Sequence, residues 1–202
     1  MGFEDFFTDM ILNPSRVDTI LDKITEIKFI FWDQVLDNMG DLLDVVVEAD
    51  DLGTQRGLLI SPKMYRKYIK PRQKALFDFI KKKVDVKIYF HSCGSILELI
   101  PDFIDVGVDI LNPIQVNAVG MCTKYLKQQF GQDLVFWGGG IDTQRILPSG
   151  SPQEIREEVK KRIDDLAPGG GFVFSTIHNI QADVPPENIM AMWEALREYG
   201  VF

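Results

Sequence analysis

Five short apolar runs, each followed by a stretch with helical periodicity, constrain this sequence more than any other feature. The runs lie at 44–49, 86–90, 108–112, 134–138 and 171–175 and are rich in β-branched and aromatic residues. Short apolar runs of this kind are typical of parallel strands that are buried on both faces. The pattern therefore predicts five strand–helix units in tandem, with parallel strands joined by helical crossovers.

The helical stretches show apolar residues three and four positions apart. A long helix after the Asn-Pro pair at 13–14 is predicted to bury one apolar face that includes Ile24, Ile27 and Phe31. Further helices are expected over 62–83, 95–103, 119–130, 155–166 and from Pro185 to Leu196. No linker or repeat interrupts the pattern, so we expect a single domain over residues 1–202.

Composition argues against several classes of function. The chain has 22 Lys+Arg against 30 Asp+Glu, a formal net charge of −8, which argues against nucleic acid because phosphate contacts need basic residues. No apolar run reaches the roughly 18 residues of a membrane span. The acidic start is unlike a secretory signal, and two cysteines cannot form a disulfide framework. We therefore expect a cytoplasmic protein.

Parallel strand–helix units form either a closed barrel or an open doubly wound sheet. The G-x-G-x-x-G fingerprint of dinucleotide-binding sheets does not occur in the sequence. Polar residues instead follow nearly every predicted strand, namely Asp50, Asp51, His91, Asn112, Asp142 and His178. A TIM barrel builds its site from residues at the strand ends, so the pattern favours an α/β TIM (β/α)8 barrel, present as about five units.

The sequence His91-Ser92-Cys93 at the end of the second strand is the strongest chemical signal. Side chains two positions apart on an extended segment point to the same side, so His91 and Cys93 are candidate zinc ligands. A catalytic zinc takes a third protein ligand, and His178, the other of two histidines, follows the last strand. A chance pair, and a histidine that only holds its turn, are the alternatives.

Carboxylates near the end of the first strand form a second candidate group. Asp50 and Asp51 can bind a cation, act as acid and base or orient a ligand, and helix capping is the alternative. Glu48 lies inside the strand, where an unpaired carboxylate would be costly. We therefore expect Glu48 to have a partner or to point into the barrel mouth.

Four segments, taken together and in order, resemble the uroporphyrinogen decarboxylase family. They are DDLGTQ at 50–55, HSCG at 91–94, GGGID at 138–142 and HNIQADVPPENI at 178–189. The resemblance covers the chain from about residue 14. It implies a (β/α)8 barrel of which this chain holds the C-terminal part, strands four to eight.

The methyltransferase branch of that superfamily implies the first functional hypothesis. Its members act on corrinoid proteins and thiols with a zinc ion held by H-x-C and a late cysteine. The resemblance places His91 and Cys93 in that motif, with His178 in place of the late cysteine. The predicted catalytic residues are His178 and Asp51, and the predicted substrate-binding residues are Glu48, Gln55, Asn112 and Asp142.

Two other readings stay open. The decarboxylase branch implies decarboxylation of a tetrapyrrole without a cofactor, with His178 as the late histidine and further residues supplied in trans. A non-catalytic half-barrel subunit or a truncated remnant is the third reading. A partial barrel exposes strand edges, so we expect a homo-oligomer or a companion chain with the N-terminal half-barrel. A small-molecule substrate and a corrinoid protein are the other expected partners.

Overall fold

A computed structural model describes residues 2–201 and contains one five-stranded parallel sheet. Every neighbouring pair of strands is parallel, and the strands follow one another across the sheet in chain order. This order confirms the predicted tandem strand–helix units. The strands are β1 (Val45–Ala49), β2 (Lys87–His91), β3 (Ile110–Asn112), β4 (Val135–Trp137) and β5 (Phe172–Val173).

Helices connect and cover the strands. Within residues 2–201 they are α1 (Phe3–Leu12), α2 (Pro14–Met39), α3 (Pro62–Tyr68), α4 (Lys70–Lys83), α5 (Ile100–Val106), α6 (Thr123–Phe130), α7 (Ile146–Ser149), α8 (Pro152–Leu166) and α9 (Pro186–Tyr199). Short 3₁₀ turns at Gly40–Leu42 and Leu97–Leu99 precede β1 and α5. In this part of the chain, none of the helices combines the length and hydropathy that a membrane span requires.

The two faces of the sheet differ in burial. Ile88 and Phe90 of β2 point towards the helices and are at most 1% exposed. The opposite face, which we call the open face, carries Val47, Tyr89 and Trp137. Val47 is 57% exposed, so the expectation that the first strand is buried on both faces is wrong for this side. The physical reason is that β1 is an edge strand, paired only with β2 among the described strands.

The predicted long helix is present as α2. Its predicted apolar face is confirmed at the N-terminal end, where Val17 is buried and Leu21 packs against a buried cluster, but it is wrong further along. Ile24, Ile27 and Phe31 are 48%, 57% and 55% exposed. Instead, Lys28 and Trp32 of α2 turn towards β1 and bind the Glu48 carboxylate. The helix has more apolar positions than one stripe needs, and this polar contact selects which stripe is buried.

Three helix boundaries differ from the sequence expectation. The stretch 62–83 is two helices that separate at Ile69, because Pro71 lacks an N–H group and disfavours helical backbone before it. The stretch 119–130 becomes helical only at Thr123, since Gly120 has a φ of +79° that a helix does not allow. The stretch 95–103 begins with a 3₁₀ turn, and its α-helix, α5, runs on to Val106.

Candidate metal centre

The ends of β1 and β2 bring three possible metal ligands together. Ligand atoms of Asp51, His91 and Cys93 all lie within 4.8 Å of one another. Cys93 Sγ lies 3.4 Å from His91 Nε2, and Asp51 Oδ1 lies 3.8 Å from the same nitrogen. The parallel register pairs Ala49 with His91, so residues two positions further along each strand, Asp51 and Cys93, also come side by side.

Asn112 at the end of β3 fixes the His91 ring. The Asn112 amide nitrogen donates a hydrogen bond to the Trp137 carbonyl oxygen (2.9 Å), so its Oδ1 faces His91 Nδ1 at 2.7 Å. His91 Nδ1 is then the donor of this bond, and in the neutral tautomer the lone pair lies on Nε2, beside Cys93 and Asp51. Metal-binding histidines are typically oriented through their second nitrogen in this way.

Tight contacts between the loops after β1 and β2 hold Asp51 and Cys93 in place. The Cys93 backbone N–H donates to Asp51 Oδ1 (2.9 Å), and the Leu52 N–H donates to the buried Ser92 hydroxyl (3.2 Å). Gly94 has a φ of +93°, and a Cβ atom there would lie 2.5 Å from the Gly53 carbonyl carbon. Glycine is therefore required at position 94 both by its conformation and by the approach of the other loop.

The electrostatics of the cluster suit a cation. Burial and the neighbouring Asp51 carboxylate raise the pKa of the Cys93 thiol above its usual range. A bound divalent cation would offset the Asp51 charge and favour the thiolate, which is the form of cysteine that binds metal. One imidazole nitrogen, one sulfur and one carboxylate oxygen form a donor set that zinc accepts, and three ligands leave one position open.

His178 lies near this cluster but outside it. Its side chain and that of Cys93 both line a cavity of about 310 Å³, together with Gln115. The three-ligand cluster in the described part of the chain contains Asp51, however, and does not include the His178 ring. The structure therefore brings His91 and Cys93 together as predicted and places His178 in the wall of the adjoining cavity.

Glu48 has the partner that the sequence led us to expect. Its two carboxylate oxygens accept hydrogen bonds from Lys28 Nζ and Trp32 Nε1, each at 2.6 Å. The side chain is 9% exposed and shares the helix-covered face with its register partner Phe90. The carboxylate thus lies on the other side of the sheet from the His91 ring.

The other predicted substrate-binding residues occupy loops at the strand ends. Asp142 is 7% exposed, and its Oδ1 accepts hydrogen bonds from the backbone N–H groups of Gln144 and Arg145. It therefore orders the loop after β4. Gln55 has an exposed side chain, and its backbone oxygen accepts a hydrogen bond from the Val119 N–H.

Gln115 is a site residue that the sequence reading missed. It is 7% exposed, and its Oε1 accepts a hydrogen bond from the Gly94 N–H at 2.7 Å. It follows the end of β3 by three residues. Its position after a strand was therefore a usable signal, because strand ends carry the functional groups of barrels.

Comparison with known proteins places the chain among related sequences. The family model described as "Uroporphyrinogen decarboxylase (URO-D)" matches residues 1–199. A protein named methylcobamide:CoM methyltransferase MtbA from Methanosarcina acetivorans is 24% identical over 202 residues, covering 96% of this chain and 52% of that protein. A uroporphyrinogen decarboxylase from Pseudoalteromonas atlantica is 24% identical over 193 residues, covering 93% of this chain and 50% of the relative.

A solved structure has the same fold. A methyltransferase from Methanosarcina mazei superposes with a TM-score of 0.74 at 22% identity, covering 100% of this chain and 55% of that structure. The chain therefore spans about half the length of the curated relatives it matches. The likeness confirms the predicted fold class, with about five strand–helix units of a TIM barrel.

Proposed function

The chain belongs to the uroporphyrinogen decarboxylase family, and from that premise we propose that it carries the metal site of a methyltransferase acting between a corrinoid and a thiol or similar acceptor. The cluster of Asp51, His91 and Cys93 is the observation that carries the proposal. Relatives named as methyltransferases support the choice of methyl transfer as the reaction.

Zinc is the metal that this donor set suits, and His91 Nε2, Cys93 Sγ and Asp51 Oδ1 would hold it. When bound, zinc stabilises the thiolate form of an acceptor thiol and makes it nucleophilic at neutral pH. Asn112 orients the His91 ring through its hydrogen bond to Nδ1, so that the lone pair of the neutral ring lies on Nε2. The Asp51 carboxylate supplies negative charge and holds the backbone of Cys93.

His178 is the proposed proton acceptor in this scheme. It lines the cavity that Cys93 also lines, and its side chain is exposed. An acceptor thiol in that cavity loses its proton when it becomes a nucleophile, and an imidazole on the cavity wall can take the proton up. Asp51 thus contributes to the metal centre, and His178 acts as a base.

A further polypeptide segment is part of the proposal. Ile27 and Phe31 of α2 and Val47 of β1 are each more than half exposed, and β1 is an edge strand of the described sheet. We expect a polypeptide that supplies the remaining strands of the barrel to cover them, since exposed strand edges and large apolar patches mark interfaces. A second copy of this chain is the alternative occupant.

Metal content tests the proposed site. The purified chain is expected to hold about one zinc ion, measured by elemental analysis, and Cys93→Ala and His91→Ala are expected to lose it because three ligands are needed. Cys122→Ala is the matched control, since Cys122 is a free, exposed cysteine at the start of α6. Stoichiometric zinc in the Cys93→Ala variant would refute the site.

Tetrapyrrole decarboxylation is the second candidate function. Relatives named uroporphyrinogen decarboxylase match this chain at the same level of identity as the methyltransferase. This reaction needs no metal, so formation of coproporphyrinogen should survive Cys93→Ala and be lost in His178→Ala. An assay with the chain alone, and with a polypeptide that supplies the remaining strands, separates the two functions.

A further inference from the structure

An apolar pocket adjoins Asp51 of the candidate metal centre and shares no lining residue with the cavity that His178 lines. Its walls are formed by helix α1, the segment that follows β1 and the segment that precedes α3, and its volume is about 150 Å³. Its apolar walls include Phe3, Phe6, Phe7, Met10, Leu52 and Leu59. The pocket opens to solvent beside Phe3, which is 79% exposed, and its volume is comparable to that of a cavity that binds benzene. We call it the phenylalanine pocket.

Asp51 connects the phenylalanine pocket with the metal centre. Its side chain lines the pocket, and its Oδ1 lies 3.8 Å from His91 Nε2. The pocket therefore borders the carboxylate that the candidate metal centre shares with His91 and Cys93, so a molecule bound at that centre can direct its substituent toward the pocket.

Helix α1 is fixed against the rest of the protein, so the pocket is preformed. Met10 is 3% exposed, and its carbonyl oxygen accepts a hydrogen bond from the Tyr68 hydroxyl at 2.7 Å. Asp9 accepts a hydrogen bond from Asn13 and forms an ion pair with Arg16 at 3.1 Å. A preformed wall lowers the ordering cost of ligand binding.

The charge of the pocket excludes one class of ligand. Among the described residues that line it, the charged ones are Asp50 and Asp51. An anionic substituent would meet the Asp50 and Asp51 carboxylates and no cationic side chain among the residues of 2–201 that line the pocket, whereas a neutral apolar substituent would gain from burial.

We propose that the phenylalanine pocket binds the substituent of the methyl acceptor, and that the acceptor is a thiol with one neutral, apolar group of about the size of a benzene ring. The inference rests on the proposed methyltransferase function for the identity of the reactive atom. The preference for neutral over anionic rings rests on the pocket alone.

Two fluorinated probes of equal shape test the pocket without using the metal. Binding of 4-fluorobenzyl alcohol and of 4-fluorobenzoate to the purified chain is followed by ¹⁹F NMR after removal of zinc, because a bound zinc ion would offset the Asp51 charge. The neutral alcohol is expected to bind at least about tenfold more tightly than the anion. Phe7→Ala should weaken alcohol binding about tenfold, the change expected when ~50 Å² of apolar contact is lost.

Matched variants complete the design. Phe31→Ala removes the same side chain from an exposed position on α2, outside the pocket, and should leave binding unchanged. Leu59→Lys adds a cation at the half-exposed rim and should reduce or reverse the preference for the alcohol. If Phe7→Ala fails to fold, the Leu59→Lys variant still tests whether the probes bind in this pocket.

Equal or tighter binding of benzoate by the unmodified chain would overturn the proposal, as would full alcohol affinity in Phe7→Ala. Failure here leaves zinc binding intact, whereas failure of the proposed function removes zinc but not probe binding. The two failures are therefore distinguishable.

Discussion

At the scale of single residues, the cluster combines one pairing that the sequence predicts with one that it does not. His91 and Cys93 lie two positions apart at the end of a strand, so strict alternation of side chains is enough to pair them. Asp51 reaches them from the neighbouring loop, and its approach depends on the close packing of Gly53 against Gly94. The sequence marked Asp51 as a possible cation ligand, but not which side chains it would join.

The relative importance of Asp51 and His178 for metal binding follows from this geometry. Asp51→Asn should lower zinc affinity at least about tenfold, because the amide can still accept the Cys93 N–H bond but lacks the negative charge. His178→Ala should leave zinc affinity unchanged, since the ring lies outside the three-ligand cluster. Competition with a chromophoric chelator measures both. Loss of zinc in His178→Ala, with retention in Asp51→Asn, would contradict the assignment.

At the scale of secondary-structure elements, the sequence predicts which helices and strands exist better than it predicts their boundaries or which of their faces is buried. The five strands and their order follow from short apolar runs separated by helical stretches. The buried face of α2 beyond its N-terminal end could not be predicted, because it depends on where Glu48 of β1 meets Lys28 and Trp32. Helix α1 lies before the first recognised pattern and was missed altogether.

Helices α3, α4 and α5 are joined by one carboxylate. Asp102 of α5 is 5% exposed and accepts hydrogen bonds from Arg66 (2.9 Å) and Lys70 (2.7 Å). Burial alone would raise the pKa of Asp102, but the bonds from Arg66 and Lys70 outweigh it and hold the pKa below its usual range. A carboxyl group with a lowered pKa contributes stability above its unfolded-state pKa, and that stability is lost as the pH falls through the folded-state value.

Asp102→Asn should therefore lower the free energy of unfolding by about 2 kcal/mol at pH 7. The difference from the unmodified chain should shrink as the pH falls from about 4 towards 2. Urea denaturation at several pH values measures this. Asp105→Asn is the control. Lys70 also pairs with the Asp105 carboxylate, but that carboxylate is 64% exposed, so its removal should change stability much less than Asp102→Asn. A loss that does not change with pH would refute the argument.

At the scale of the whole molecule, the chain is half of a closed architecture with one covered and one uncovered side. The covered side holds the large core cluster between sheet and helices. The uncovered side presents the open face, the edge of β1 and the exposed stripe of α2. Five predicted units already indicated an unclosed barrel, but the sequence could not show which apolar residues would be left exposed.

Phe31→Glu tests whether this uncovered side is an interface. Because Phe31 is 55% exposed, the change should alter the free energy of unfolding by less than about 0.5 kcal/mol. It should weaken association of the chain, with itself or with a polypeptide that supplies the remaining strands, as measured by analytical ultracentrifugation. Tyr125→Glu on α6, at an aromatic residue that is 46% exposed, is the control and should have no effect. Association that Phe31→Glu leaves unchanged would contradict the prediction.

The Asn112 amide has a consequence that reaches beyond its own neighbours. It spans from the imidazole on β2 to a carbonyl group on β4, so three adjacent strands must keep their alignment for the ring to stay oriented. A shift of β2 or β4 relative to β3 would break one of these two hydrogen bonds and release the orientation of the imidazole ring. Under the proposed function, the affinity of the site for zinc therefore depends on the alignment of β2, β3 and β4.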